Sequence, residues 1–163
     1  MKDSVDDLVE QWAASIEGVD QRVDGIVTRM QLIARHLSAQ KAAALEGMGV
    51  QMWECATLYA LRRRGEPYAA GPTELAAELG VTGAAMTSRV DTMARRGYVV
   101  RRSDRADRRR SVVALTRKGM TLADRIIAGQ LDVEAALVGT LTDAQQDQLT
   151  GLLRRLMHVV DAP

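Results

Sequence analysis

A chain of 163 residues with 47% hydrophobic content can bury one sizeable core, or one small domain plus helices that need a partner to cover them. It has no apolar run long enough to cross a bilayer, and Met1-Lys2-Asp3-Ser4 does not open a basic stretch leading into an apolar core, so the chain reads as a soluble cytoplasmic protein. Its net charge of +1 is segregated: residues 89–118 hold eleven basic side chains against Asp91, Asp104 and Asp107, a local +8 that leaves about −7 for the rest.

From the N-terminus, a short helix is expected over residues 5–16. From Asp20 onward, Val23, Ile26, Val27, Met30, Ile33, Ala34 and Leu37 recur at three- and four-residue steps, one stripe of a long amphipathic helix. Gly47 and Gly49 break that pattern, and a helix over 51–64 ends on Arg62-Arg63-Arg64, where cations suit the helix dipole; those arginines are also candidates for phosphate contact. Pro72-Thr73 opens a short helix to Leu79, stopped at Gly80, and Thr82 caps the next one over 83–96, stopped at Gly97. The period then switches to two: residues 98–102 and 111–115 are short β-rich runs that form a hairpin with an arginine-rich tip. Thr116 caps a helix to about Gly139, and Thr142 with Gln145 has capping-box spacing for a last helix ending at Val160, with Leu149, Leu152, Leu153, Leu156 and Val160 on one stripe.

Short helix, turn, second helix and hairpin is the order of a winged helix-turn-helix, in a fold that is mainly α with a small antiparallel β wing. Residues 51–116 form the expected DNA-binding lobe, and 1–50 with 117–163 the expected helical dimerisation region, because long amphipathic helices at both ends leave apolar surface for a second copy. The helix over 83–96 enters the major groove in such an arrangement. There Thr82, Thr87 and Ser88 offer hydroxyls, Ala84 and Ala85 let the backbone approach, Gly83 removes bulk at the entry point, and Arg89 has the reach for guanine. The ten-to-one excess of Arg over Lys in 89–118 suits phosphates and base edges, which a guanidinium fork bonds bidentately. Phe is absent, and Trp12, Trp53, Tyr59, Tyr68 and Tyr98 are too few for a single-strand stacking platform, so a duplex is the expected nucleic acid.

The stretch Thr73-Glu74-Leu75-Ala76-Ala77-Glu78-Leu79-Gly80-Val81-Thr82, with Met86-Thr87-Ser88-Arg89-Val90-Asp91 and Arg95-Arg96-Gly97-Tyr98-Val99, strongly resembles the MarR family of bacterial transcription regulators. The wing from Asp104 and Arg105 through Asp107, Arg108, Arg109 and Arg110 to Leu115-Thr116 is similar to that family's most specific signature. The resemblance implies a homodimer with interlocked terminal helices that binds a pseudo-palindromic operator as a repressor relieved by a small molecule or oxidant. It also implies that Asp107 holds Arg109 in place within the wing, and that Arg108 or Arg109 enters the minor groove. Within the family, Trp12 on an extra N-terminal helix, the recognition-helix sequence and the wing resemble the urate-responsive PecS and UrtR branch. The ligand site of that branch uses a tryptophan, an aspartate and an arginine: Trp12 and Arg89 match, whereas Ala56 stands where the acid belongs and Glu54 lies half a turn away. The effector class implied is urate-like or phenolic.

Other features have plainer readings. Cys55 excludes a disulfide framework and reads as a buried structural thiol; a redox sensor is the competing reading. His36 and His158 are too far apart in sequence for a local zinc motif, and no cofactor is expected. An enzyme is the least expected class, since no nucleophile, base and orienting acid share a plausible location and no glycine-rich phosphate loop is present. The alternative to a ligand-responsive regulator is a winged-helix module whose basic face serves a protein or RNA partner.

Overall fold

The computed structural model describes residues 2–103 and 111–162. The elements in chain order are α1 (Ser4–Ser15), α2 (Gln21–Gly47), α3 (Met52–Arg62), β1 (Ala69–Ala70), α4 (Pro72–Glu78), α5 (Gly83–Arg95), β2 (Val99–Ser103), β3 (Ser111–Leu115), α6 (Arg117–Val138) and α7 (Asp143–Val160). The fold is mainly helical with one small antiparallel sheet, the winged helix-turn-helix expected from the sequence. By contacts it divides into two compact units, Met1–Ala43 and Ala44–Pro163.

In the first unit, α1 starts on an acidic capping box. The Asp3 carboxylate accepts from the Val5 N–H at 2.9 Å, and the Asp6 carboxylate accepts from the Asp3 N–H at 2.7 Å. Arg29 of α2 then clamps both acids, donating to the two Asp3 oxygens at 2.8 and 2.9 Å and to Asp6 at 2.8 Å. Val5 and Val9 are buried beneath this clamp, while Val23, Ile26, Val27, Met30 and Ile33 of α2 remain exposed.

The second unit holds the main core, in which Leu58 and Leu61 of α3, Leu75 of α4, Met86, Val90 and Met93 of α5 and Val113 of β3 are fully buried. Pro72 sits in the first turn of α4, where its missing N–H costs nothing, and Gly80 adopts φ 63° in the turn that follows. The Thr82 hydroxyl caps α5 by accepting from the Ala85 N–H at 3.2 Å. The Thr116 hydroxyl accepts from the Gly119 N–H at 3.0 Å and donates to the Gly97 carbonyl at 2.6 Å, so one side chain starts α6 and ties it to the end of α5. Gly119 has a steric reason: a Cβ there would lie 2.0 Å from the Tyr98 carbonyl oxygen. Thr142 and Gln145 form the capping box of α7 as their spacing predicts, and no residue of α7 is buried.

The hairpin pairs Val99 with Leu115 and Ser103 with Ser111 in antiparallel register. The sheet has a third strand that the sequence pattern does not announce, β1, whose Ala69 and Ala70 pair with Ala114 and Val113 and make β3 the central strand. A second difference lies at the end of α3, which stops at Arg62 with Arg63 as its C-cap, two residues short of the expected Arg64.

Candidate nucleic-acid interface

Met86, Val90 and Met93 recur at helical spacing and anchor one face of α5 in the core, which fixes the rotation of the helix about its axis. The opposite face at its N-terminal end is exposed and carries Thr82, Gly83, Ala84, Thr87 and Ser88. Among the described residues nothing lies within 4 Å of a Cβ built on Gly83, so they leave the entry point open. Arg89 is half-buried, and its guanidinium lies over the Trp53 ring of α3, 5.6 Å from the centroid. The expected base-reading arginine is thus held against α3 in this structure, beside the exposed hydroxyl face rather than projecting from it.

The wing is coupled to this helix: Arg101 of β2 donates to Asp91 of α5 at 2.7 Å. Arg102 and Ser103 continue β2 as exposed residues, and Ser103 and Ser111 face each other where the described hairpin ends. Arg105, Asp107, Arg108 and Arg109 lie outside the described residues, as does the expected contact of Asp107 with Arg109.

The C-terminal end of α5 is held by a contact that sequence reasoning missed. Glu54 of α3 is 0% exposed; its Oε2 accepts from Arg96 Nη1 at 2.6 Å and from the Gln51 N–H at 2.9 Å, while Oε1 has no hydrogen-bond partner among the described residues. Arg96 is the C-cap of α5 and also donates to the Gly49 carbonyl at 2.7 Å and to the Tyr98 hydroxyl at 3.1 Å. The two ends of α5 therefore have opposite characters, one exposed with short polar side chains and the other locked to a buried carboxylate. The available signal was the capping spacing of Gln51 and Glu54, which places an acid at the start of α3 but does not say that it is buried.

The arginines that close α3 are spoken for. Arg62 pairs with Asp124 at 2.6 Å, Arg63 with Glu78, and Arg64 with Glu74 at 2.8 Å and with Glu78. The Arg64 guanidinium bonded to Glu74 holds that carboxyl below its ordinary value. These pairs tie α3 to α4 and α6, a structural use ahead of phosphate contact. Of the ligand-site candidates, Trp12 belongs to the first unit and is 50% exposed, Arg89 belongs to the second, and Ala56 is half-buried. Cys55 is buried and bonded to Tyr59. Among the described residues no cluster of His, Cys, Asp and Glu could hold a metal ion, and no helix is long and apolar enough to cross a membrane.

A helix with a short-chain polar tip, set on a core by its opposite face and followed by a basic hairpin, defines a winged helix-turn-helix protein. Residues 47–110 match the MarR family. Over 96% of this chain and 95% of the relative, the sequence is 27% identical to the HTH-type transcriptional regulator PecS of Dickeya dadantii. It is 32% identical to the HTH-type transcriptional repressor YetL of Bacillus subtilis over 53% of this chain and 52% of that one. A MarR family protein from Bacillus stearothermophilus shares the fold, with a TM-score of 0.73 at 20% identity over 89% of this chain and all of that one. Residues 47–110 are thus similar to the MarR family, and the relatives matched are named transcriptional regulators.

Proposed function

We propose that this chain acts in the cytoplasm as a homodimeric, sequence-specific double-stranded DNA-binding regulator, a repressor released by a small-molecule ligand. The observation that carries the reading is the exposed N-terminal face of α5, where Thr82, Gly83, Ala84, Thr87 and Ser88 stand clear of the core beside a hairpin whose basic residues include Arg101 and Arg102. Short hydroxyl and methyl side chains let a helix sink into the major groove, where base edges carry a distinct donor and acceptor code. Arg105, Asp107, Arg108 and Arg109 complete the interface along the backbone or minor groove. Residues 51–116 act as the DNA-binding lobe, and the helices of 1–50 and 117–163 as the dimerisation region. Two such lobes related by a two-fold axis read a pseudo-palindrome with half-sites about 34 to 36 Å apart.

The full-length similarity to PecS, named a transcriptional regulator, and the partial similarity to YetL, named a repressor, support this reading. Trp12 and Arg89 are the proposed effector residues, and the effector is a urate-like or phenolic compound. The position of Arg89 over Trp53 supports a ligand role for it ahead of base reading, because its guanidinium is already turned toward α3.

The test is binding to the DNA immediately upstream of the chain's own coding region at two salt concentrations, with and without urate and a panel of phenols. Protection of an inverted repeat, released by one compound, is the expected result. Weak, sequence-indifferent binding that vanishes with salt overturns the self-regulating repressor and favours a module for protein or RNA. In the same assay Arg89→Ala keeps operator binding and loses the effector response; a relaxed sequence preference instead assigns Arg89 to a base.

A further inference from the structure

Two adjacent residues of α3 grip α5 at two points. Arg89 and Arg96 stand two helical turns apart on one face of α5. The Arg89 guanidinium lies over the Trp53 ring, 5.6 Å from its centroid, and Arg96 Nη1 donates to Glu54 Oε2 at 2.6 Å. The grips differ in kind. A guanidinium over a ring can slide, whereas the bond to Glu54 is directional and ends on a carboxylate that is 0% exposed. A single oxygen carries that bond: Oε2 also accepts from the Gln51 N–H at 2.9 Å as part of the capping box of α3, and Oε1 has no hydrogen-bond partner among the described residues. A two-oxygen fork would fix the angle between guanidinium and carboxylate, but a one-oxygen contact is a pivot, with Oε1 as a second acceptor beside it. The same end of α5 is tied to α6, because Lys118 Nζ donates to the Arg96 carbonyl at 2.8 Å and the Thr116 hydroxyl donates to the Gly97 carbonyl at 2.6 Å.

We propose that Glu54 and Arg96 are positioning residues for DNA recognition: their bond is the pivot that sets the tilt of α5, and so the half-site spacing that a dimer accepts. The 13 residues of α5 separate this pivot from the exposed tip at Gly83, about 20 Å of helix at 1.5 Å per residue. A tilt of about 10° at Arg96 therefore carries the tip about 3.5 Å, close to the rise of one base pair. A mis-spaced site is engaged only by straining this contact, so the worth of the bond limits the penalty it can impose. Neither residue touches DNA in this scheme. The inference rests on the proposed function, which supplies the dimer and the operator.

The probes are the inverted repeat protected upstream of the chain's own coding region and two copies of it with one base pair inserted or removed between the half-sites, each bound by the full-length protein. The wild type is expected to bind the shifted repeats more weakly than the unshifted one. In Glu54→Gln, which keeps an acceptor for the α3 cap and loses the charge that faces Arg96, the ratio of the two affinities falls about tenfold, the worth of one charge-assisted hydrogen bond. Arg96→Lys keeps the charge but not the fork that reaches Glu54, Gly49 and Tyr98 together, and it lowers the ratio as well. Ile126→Val, a buried change on α6 that destabilises by a comparable amount, keeps the wild-type ratio. A structural role alone lowers affinity for all three duplexes in the same proportion. A wild type that protects the repeat without distinguishing the shifted copies, an unchanged ratio in Glu54→Gln or Arg96→Lys, or an equal fall in Ile126→Val overturns the pivot and leaves the proposed function standing. A wild type that protects no inverted repeat overturns both.

Discussion

Arg96 joins more parts of the helix-turn-helix region than any sequence pattern would assign to it: the buried Glu54 carboxylate, the Gly49 carbonyl and the Tyr98 hydroxyl. Glu54 is fully buried and Arg96 about one-third exposed, so the pair is asymmetric, and removing the guanidinium leaves an uncompensated charge in the core. Arg96→Met is expected to cost about 3 kcal/mol, the low end for breaking a buried pair because solvent reaches the arginine side. Glu54→Gln keeps the shape and one acceptor and costs about 1 kcal/mol. Urea unfolding midpoints check both, and the order of the two losses is the informative result. Gly119 is the second residue where one atom decides. A methyl group 2.0 Å from the Tyr98 carbonyl oxygen cannot be accommodated without moving backbone on one side, so Gly119→Ala is expected to destabilise by roughly 1 to 3 kcal/mol in the same assay. Neither site was legible in the sequence. A glycine in the first turn of a helix and an acid near a helix start are both ordinary, and only the packing of α6 on the end of α5, and of α5 on α3, makes them decisive.

At the scale of elements the sequence was far more legible, because helix ends are local. Thr82, Thr116 and Thr142 cap the helices their positions predict, Pro72 opens α4 and Gly80 closes it. β1 was not legible for the converse reason: two alanines have no strand signature of their own, and pairing with Ala114 and Val113 is what makes them a strand. The exposed tip of α5 was readable once its periodicity fixed the buried face, whereas the stacking of Arg89 on Trp53 depends on how α3 and α5 pack. The α1 cap also makes a pH prediction. Hydrogen bonds from Arg29, and then from the Val5 N–H, hold the Asp3 carboxyl at about 2 against an ordinary 3.8, and Asp6 is lowered chiefly by the Asp3 N–H and then by Arg29. The folded-state value lies below the unfolded one, so the contribution to docking of α1 is full above 3.8 and is lost as pH falls toward about 2. Trp12 fluorescence followed through that window should report release of α1 in the wild type. In Asp3→Asn the carboxylate is absent throughout, so α1 should be looser at neutral pH and its remaining acid dependence smaller.

The whole molecule is shaped by two segregations, one of charge and one of apolar surface. Residues 89–118 carry +8 while the rest carries about −7, and on the proposed function that asymmetry would steer the basic segment toward DNA over distances comparable to the Debye length of about 10 Å at moderate salt. Val23, Ile26, Val27, Met30 and Ile33 on α2, and Leu149, Leu152, Leu153, Leu156 and Val160 on α7, are exposed in a single chain. Most of these side chains are already about half covered, so covering the rest of each is worth roughly 1 kcal/mol, about half the value for full burial, and a second copy that buries many of them together gains enough to offset the cost of association. Replacing Leu152 and Leu156 of α7 with Glu leaves the core around Leu58, Met86 and Val113 untouched and places two charges on the face to be covered. The expected outcome is a dimer for the wild type and a monomer for the double variant by sedimentation equilibrium, with the lobe still folded. The two segregations meet in DNA binding. On the proposed function a dimer neutralises phosphates at two half-sites, and the logarithm of its affinity falls with that of salt at a slope of about −0.9 per phosphate contact. A monomeric variant engages one half-site, so its slope should fall to about half that of the wild type. An unchanged slope in a proven monomer means that one lobe makes all the phosphate contacts and that the second copy serves stability alone.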